Sequence, residues 1–186
     1  MSGKWLQLPL DPKAVEELAV GQWVNLSGPL ITARDAALKR IYNLLLEYKK
    51  PPVDLQNQLV YFVGPTPAAP GEQIGSAGPT TSRRMEPYLP SLLSAGVKAV
   101  MGKGPLSEGM VAEFHRRGAI YLAAAGGAGA YYGSKVRGAM VMAYEELGPE
   151  AVYSLMVDNF PAVVAIDLKG GNLFEQGPKA YFREQA

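Results

Sequence analysis

The chain has 186 residues, a length that suits one compact domain, and its 48% hydrophobic and 19% charged residues exclude a disordered tail. Its 18 basic and 17 acidic residues leave a net charge of +1, which argues against a general nucleic-acid binder. Cysteine is absent and His115 is the only histidine, so these residues alone cannot build a disulfide, a thiolate zinc site, a catalytic cysteine, an iron–sulfur cluster or a multi-histidine metal site.

The amino-terminal part of the chain predicts a helix, a strand and a second, stronger helix. A capping aspartate followed by proline predicts a helix over residues 12–18. A strand over residues 22–26 follows, and residues 27–32 continue as an extended segment. The strongest helix signal covers residues 33–48 and ends before a Pro-Pro pair. The apolar face of that helix is formed by Ala37, Ile41, Leu44, Leu45 and Tyr48.

Strands and helices continue to alternate in the remainder of the chain. Strands are predicted at residues 59–63, 97–101, 120–124, 136–144 and 162–167, with a short one at 73–76 inside a long loop. Helices are predicted from Thr80 or Thr81 to residue 94 and over residues 107–117. The order predicts a mixed α/β protein with one domain over residues 1–186.

Targeting and membrane segments are not evident in this sequence. Residues 1–10 lack the apolar stretch of a signal peptide. The longest apolar run, residues 119–125, is far shorter than the roughly 20 residues that a membrane helix needs. We therefore expect a cytoplasmic protein with neither a membrane nor a nucleic-acid partner.

Two glycine-containing stretches fail the patterns of nucleotide-binding loops. Residues 126–133 lack the G-x-G-x-x-G spacing, and they predict a structural turn, with a contact between subunits as the alternative. Gly102-Lys103-Gly104 lacks both the spacing and the Ser or Thr of a P-loop. Lys103 nevertheless follows a predicted strand, at the edge of the sheet where α/β proteins bind ligands.

The segment around Thr80 and Thr81 predicts an anion-binding site. A Gly-Pro turn precedes these hydroxyls, which stand at a predicted helix start, where free N–H groups and the helix dipole favour negative charge. Arg83 and Arg84 follow within one turn, and arginine can bind a carboxylate through two parallel hydrogen bonds. The alternative is an ordinary threonine cap with exposed arginines.

Arg34 is a second candidate, because it stands at the start of the strongest predicted helix. A cation is poorly placed beside the positive end of a helix unless it serves an anion. The alternative is that Asp35, the next residue, simply neutralises it. The candidate anion-binding set is therefore Arg34, Thr80, Thr81, Arg84 and Lys103. The sequence offers no strong base and no nucleophile beside a histidine, so it looks like half of an active site.

Several segments resemble the β subunit of class I, iron–sulfur-dependent fumarate hydratases. They are residues 32–37 (TARDAA), 64–71 (GPTPAAPG), 75–85 (GSAGPTTSRRM), 102–104 (GKG), 146–148 (ELG) and 160–162 (FPA). The same module is similar to the β subunit of L-tartrate dehydratase and to the C-terminal domain of single-chain class I fumarases. The chain departs from its relatives at Leu38, where they commonly carry histidine.

The resemblance implies a fold, a reaction and a partner. The fold would be a three-layer β/β/α swivelling domain with a mixed sheet. The reaction would be the reversible addition of water to fumarate, which gives (S)-malate. An α subunit would hold a [4Fe–4S] cluster on three cysteines, and substrate would bind between the subunits. The complex would be a hetero-oligomer, which also allows a contact between two β subunits.

The resemblance also implies roles for the candidate residues. Arg34, Arg84 and Lys103 would supply cations that bind the dicarboxylate and stabilise the charge that develops when a proton leaves carbon 3. Thr80 matches the threonine proposed in the family as the proton-transferring base. Thr81 would cap the helix or donate a hydrogen bond to substrate. The expected catalytic residues are therefore Thr80 and Lys103, and the expected substrate-binding residues are Arg34, Thr81 and Arg84.

Two other functions stay open on the sequence. The chain could serve a hydro-lyase that acts on tartrate or another diacid, or it could be a non-catalytic assembly partner. Four acidic residues and the histidine are given no catalytic role: His115 is expected on a solvated helix face, Glu145 and Glu146 as a solvated pair, and Asp158 and Asp167 at turns or strand ends.

Overall fold

A seven-stranded mixed sheet organises residues 3–182, the part of the chain that the computed structural model describes. The strands are β1 (Lys4–Gln7), β2 (Trp23–Thr32), β3 (Leu59–Tyr61), β4 (Ala99–Gly102), β5 (Ile120–Ala123), β6 (Val136–Ala143) and β7 (Val152–Ile166). The α-helices are α1 (Pro12–Glu16), α2 (Asp35–Leu46), α3 (Leu89–Ser94), α4 (Glu108–Arg117), α5 (Gly129–Gly133) and α6 (Leu173–Tyr181). Two 3₁₀ helices cover Ser82–Tyr88 and Glu145–Glu150.

The strand order is β1-β2-β3-β4-β5-β7-β6, and β7 pairs with β2 as well. Strands β1 to β5 are mutually parallel, whereas β7 runs antiparallel to β2, β5 and β6. The extra pairing closes β2, β3, β4, β5 and β7 into a ring, with β1 and β6 added outside it. Because the parallel strands point the same way, their carboxyl ends meet at one edge.

Two hydrophobic cores lie on opposite faces of β3, β4 and β5. The first fills the inside of the ring, and its fully buried side chains include Leu26, Leu30, Tyr61, Leu122 and Phe160. The second packs the outer face of the same strands against helices; its members include Leu38, Phe62, Met85, Phe114 and Tyr121. The arrangement gives two strand layers and a helix layer, which confirms the predicted α/β class. None of the helices within residues 3–182 is long and apolar enough to cross a membrane.

Local sequence signals explain most of the predicted elements. Asp11 caps α1 by accepting a hydrogen bond from the Lys13 N–H at 3.0 Å. Helix α2 buries Ala37 and Ile41, as the apolar spacing predicts, and also Leu38. The rest of the predicted face is not buried, because Leu44 and Leu45 are half-buried and Tyr48 is exposed. The helix ends at Leu46, two residues earlier than predicted, and Tyr48 takes a left-handed backbone conformation with φ of 54°.

Three predictions of local structure need correction. No strand forms at residues 73–76. Instead, the Gly75 N–H donates a hydrogen bond to the Thr66 carbonyl at 2.9 Å, and the Thr66 N–H donates one to the Ser76 carbonyl at 3.0 Å. The turn predicted at residues 126–133 contains the short helix α5. The single helix predicted up to residue 94 is a 3₁₀ helix followed by α3, since Pro87 interrupts regular α-helical bonding.

Further elements were not predicted from the sequence. They are β1, α6 and residues 152–161 of β7. Strand β7 is long because its first part pairs with β2 and β6 and its second part with β2 and β5. Such pairing depends on distant partners and leaves only a weak local pattern.

Candidate active site

The carboxyl ends of β2, β3 and β4 bring the predicted site residues to one edge of the sheet. Arg34 follows β2, and Lys103 follows β4 directly. The segment carrying Thr80 and Thr81 lies between the ends of β3 and β4: the Thr80 N–H donates to the Phe62 carbonyl at 2.7 Å. Ligands bind at the carboxyl ends of parallel strands in both open sheets and closed barrels, so the position agrees with a binding site.

Thr80, Thr81 and Lys103 lie on adjacent extended segments. The Lys103 N–H donates to the Thr80 carbonyl at 3.2 Å, and Thr81 forms a parallel bridge with Lys103. The Ser82 N–H donates back to the Lys103 carbonyl at 2.9 Å. Thr80 and Lys103 are half-buried and Thr81 is exposed. The backbone therefore fixes both threonines against the lysine, whatever their side chains bind.

A buried hydroxyl pair holds this segment in place. Ser82 is fully buried, and its Oγ lies 2.8 Å from the Tyr121 hydroxyl, which donates to the Gly104 carbonyl at 2.9 Å. A Cβ at Gly102 would lie 2.1 Å from Ser82 Oγ, so only glycine permits this approach. Burial raises the pKa of Tyr121, although the Ser82 hydrogen bond lowers it in part, so the phenol stays protonated.

Arg34 and Arg84 meet at one carboxylate. Asp35 Oδ2 accepts from Arg34 Nε at 3.2 Å and from Arg84 Nη2 at 2.6 Å, while Asp35 Oδ1 accepts from Arg84 Nε at 3.2 Å. Glu150 joins the group, because its Oε1 lies 3.3 Å from Arg34 Nη2. We call Arg34, Asp35, Arg84 and Glu150 the arginine–carboxylate cluster.

Hydrogen bonds within the cluster favour the charged forms of Asp35 and Arg84. Burial alone would raise the pKa of Asp35, but hydrogen bonds from Arg84, its own backbone and Arg34 outweigh it and hold that pKa below its ordinary value. The same contact with Asp35 raises the pKa of Arg84. Both arginines therefore share their hydrogen bonds with carboxylates.

The structure decides between alternatives that the sequence left open. Arg34 is paired by Asp35, as the neutralising alternative predicted, yet it also lies in the same cluster as Arg84. Thr81 occupies the position before the 3₁₀ helix, but its side chain makes no capping bond, so a threonine cap is wrong. Arg83 and His115 are exposed, the latter on α4 as predicted. Asp167 closes a turn by accepting three backbone N–H bonds, also as predicted.

Glu150, Ser82 and Tyr121 were not identified from the sequence. Glu150 reaches Arg34 from a distant 3₁₀ helix, and a Cβ at Gly64 would lie 2.8 Å from the adjacent Pro149 carbonyl. Ser82 lies within segment 75–85, and its position directly after two threonines is the one available signal. Nothing in the local sequence around Tyr121 distinguishes it from an ordinary strand residue.

Within residues 3–182, no group of three or more histidine, aspartate or glutamate side chains could hold a metal ion. The chain also has no cysteine. Its residues therefore do not fit the ligand set of an iron–sulfur cluster, and thiolate ligands would have to come from outside these residues. The site can bind an anion and position hydroxyl groups.

Comparison with known proteins places this site in a family. The family model described as Fumarase C-terminus matches residues 5–177. The chain belongs to that family. The matched region includes every candidate site residue and all seven strands apart from the first residue of β1.

Two groups of relatives differ in how much of them the chain covers. It is 35% identical to the "Putative L(+)-tartrate dehydratase subunit beta" of Methanocaldococcus jannaschii, over 94% of this chain and 93% of that protein. It is 36% identical to the "Putative fumarate hydratase class I" of Geobacillus stearothermophilus, over 94% of this chain but 34% of the relative. It is 32% identical to the "Fumarate hydratase class I, anaerobic" of Escherichia coli, over 87% of this chain and 30% of that protein. The chain thus spans about a third of the length of these fumarate hydratases.

Proposed function

We propose that this chain is the β subunit of a class I fumarate hydratase, a hydro-lyase that reversibly adds water to fumarate to give (S)-malate. A cysteine-bearing α subunit would complete the enzyme, and a [4Fe–4S] cluster would be bound by that subunit. The observation that carries the proposal is the convergence of Arg34, Arg84, Lys103 and two threonines at one edge of the sheet. Family membership and the short relative that the chain matches nearly end to end support the subunit arrangement.

In this proposal the chain binds and polarises the dicarboxylate. Lys103 and the free N–H groups of Arg34 and Arg84 would bind a substrate carboxylate through charge-assisted hydrogen bonds. Loss of the carbon-3 proton adds negative charge to the neighbouring carboxylate, so fixed cations stabilise the transition state more than the ground state. A [4Fe–4S] cluster held by the partner subunit would supply Lewis-acid chemistry to the complete enzyme.

Thr80 would take the proton from carbon 3. A threonine hydroxyl is a weak base, and its alkoxide needs nearby positive charge. The Lys103 backbone is bonded to that of Thr80, which favours this lysine as the nearby cation. Thr81 is exposed and makes no capping bond, so substrate is the partner that we assign to its hydroxyl.

Co-expression with the cysteine-bearing partner, anaerobic cluster reconstitution and a diacid panel test the proposal. We expect hydration of fumarate to malate by the complex. A complex that forms but converts no diacid would overturn the enzymatic proposal and favour an assembly role.

The hydroxyl roles are tested in the same complex. Thr80→Ser should keep part of the activity because a hydroxyl remains, whereas Thr80→Val should lose most of it. Exchange of the malate carbon-3 proton with solvent isolates the proton-transfer step. Exchange at the wild-type rate in Thr80→Val would remove Thr80 from the base role.

An L-tartrate dehydratase is the second candidate. It is favoured by the near-complete coverage of the Methanocaldococcus jannaschii protein, which is named as a β subunit of that enzyme. Conversion of L(+)-tartrate in preference to fumarate by the reconstituted complex would select it.

A further inference from the structure

We propose that Asp35 and Glu150 are positioning residues, which fix the orientation of Arg34 and Arg84 for a dicarboxylate. This inference rests on the proposed function. In the structure, Asp35 contacts the guanidinium groups of both arginines, and Glu150 contacts that of Arg34.

Asp35 holds both arginines through one side chain. Its two oxygens accept from Arg84 Nε and Nη2 in a fork, and Oδ2 also accepts from Arg34 Nε. A planar guanidinium bound by such a fork cannot rotate about its own axis without breaking two bonds. Since Arg84 is 53% exposed, without this contact its long side chain would sample many rotamers.

Glu150 performs the corresponding task for Arg34 and ties it to the fold. Its Oε2 accepts from the Ala36 N–H at 2.9 Å, in the first turn of α2, where a helix has free N–H groups. Its Oε1 lies 3.3 Å from Arg34 Nη2. One carboxylate therefore caps the helix and holds the arginine that precedes it.

The contacts leave a defined edge of each arginine for a ligand. Arg84 uses Nε and Nη2 for Asp35, and Arg34 uses Nε for Asp35 and Nη2 toward Glu150. Within the described part of the chain, the Nη1 group of neither arginine donates a hydrogen bond to a carboxylate. Two arginines and two carboxylates also carry no net charge together, so Lys103 is left to balance a bound anion.

A purely electrostatic role for Asp35 predicts the opposite change in substrate binding. Asp35 is itself an anion and would repel a dicarboxylate, so a purely electrostatic role predicts tighter substrate binding when its charge is removed. A positioning role predicts weaker binding, because the arginines lose their fixed orientation. The variant Asp35→Asn separates the two, since the amide keeps the size of the side chain.

The first measurement follows the arginines directly in the full chain. We would record the side-chain Nε–H signals by NMR, assigned through Arg34→Lys and Arg84→Lys. Asp35→Asn should shift both signals and speed their exchange with water, whereas Glu150→Gln should affect Arg34, which Glu150 contacts, more than Arg84, which it reaches only through its charge. Glu113→Gln is the matched control, because Glu113 accepts hydrogen bonds from Arg116 and Arg117 on the surface of α4.

The second measurement uses the complex with the cysteine-bearing partner. Asp35→Asn should raise KM for the dicarboxylate about tenfold or more, with kcat/KM lowered by at least as much and the thermal midpoint near that of wild type. Glu113→Gln should leave both kinetic constants unchanged. A lower KM in Asp35→Asn, or unmoved Nε–H signals, would overturn the positioning role.

The two proposals fail in different ways. A wild-type complex that converts no diacid contradicts the proposed function, while the Nε–H signals still report whether Asp35 orders the arginines. If Asp35→Asn fails to fold, Glu150→Gln carries the test through its larger effect on Arg34 and its own increase in KM.

Discussion

Arg83 and Arg84 are neighbours in the sequence but occupy different environments. Arg84 forms a fork with Asp35, while Arg83 is exposed and contacts no carboxylate within residues 3–182. Both lie in the 3₁₀ helix Ser82–Tyr88, where adjacent residues point about 120° apart, so a single ligand-facing edge can accept only one of them. Thr80 and Thr81 precede that helix on an extended segment, where successive side chains point to opposite sides, and Thr80 is half-buried while Thr81 is exposed.

The first prediction concerns the cations. Arg84→Ala and Lys103→Ala should each lower kcat/KM of the reconstituted complex by about 10²–10³, the usual cost of losing one preorganised donor to developing charge. Arg83→Ala is the matched control and should stay near wild type. Equal losses at Arg83 and Arg84 in steady-state assays would contradict the orientation described above.

The second prediction concerns Asp167, which is 3% exposed and accepts backbone N–H bonds from Val20, Lys169 and Gly171 at 2.8–2.9 Å. Asp167→Ala should lower the free energy of unfolding by about 2–4 kcal/mol, because it leaves these donors unpaired. Asp158→Ala is the control, since Asp158 is 57% exposed and lies 3.7 Å from Arg137. Urea denaturation measures the free energy of unfolding of both variants. A loss of stability in Asp167→Ala as small as that in Asp158→Ala would contradict the turn-closing role of Asp167.

The pH dependence follows from the direction of the shift. Burial opposes ionisation of Asp167, but its backbone hydrogen bonds hold the pKa below the ordinary value. A carboxyl with a lowered folded-state pKa stabilises the fold above its unfolded value of about 3.9, and that contribution disappears as pH falls through the folded-state pKa. The difference in free energy of unfolding between wild type and Asp167→Asn should therefore be largest at neutral pH and should shrink below about pH 4.

At the level of elements, one buried contact joins the 3₁₀ helix that starts at Ser82 to the end of β4. The Ser82 and Tyr121 hydroxyls bond to each other, and Tyr121 donates to the Gly104 carbonyl. Tyr121 comes from β5, so three separate segments meet at this point. The contact keeps Lys103 and the two threonines in one arrangement, and both of its hydroxyl groups are buried.

The third prediction tests this contact. Tyr121→Phe should lower the free energy of unfolding by about 1–3 kcal/mol, because it leaves the buried Ser82 hydroxyl and the Gly104 carbonyl unpaired. The double variant Ser82→Ala with Tyr121→Phe should cost less than the sum of the single variants, since it removes both partners. Chemical denaturation of the wild type, the two single variants and the double variant completes this double-mutant cycle. Strictly additive losses of stability would show that the two hydroxyls do not interact.

At the scale of the whole molecule, the candidate site reaches the surface, where Thr81 and Arg84 are exposed. The candidate residues lie at an edge of the sheet, and the chain has neither a cysteine nor, within residues 3–182, a metal-binding group. The fumarate hydratases that it matches are about three times as long as the matched region. Both observations agree with a site that a second protein unit completes.

The fourth prediction follows at this scale. The purified, metal-stripped chain should show no fumarate hydration and no iron–sulfur absorbance after attempted reconstitution, because it lacks thiolate ligands. The complex treated in the same way serves as the positive control. Measurable hydration by the chain alone would contradict the division of labour proposed here.

Local sequence was sufficient where the signal is short-range. The first half of the apolar stripe of α2, the cap of α1 and the alternation of strands and helices are encoded within a turn or two, and the structure confirms them. The resemblance carried by the TARDAA and GPTTSRRM segments was confirmed by the family match. The absence of cysteine limits the possible chemistry on composition alone.

The tertiary structure decided what depends on distant residues. Glu150 lies 114 positions from Ala36, whose N–H it accepts, and Arg84 lies 49 positions from Asp35. Strand β7 exists because β2, β5 and β6 surround it, and no local pattern records those partners. Composition and short motifs thus determined the class of protein and the candidate cations. Only folding, which brings distant carboxylates within hydrogen-bond reach, decided how those cations are held.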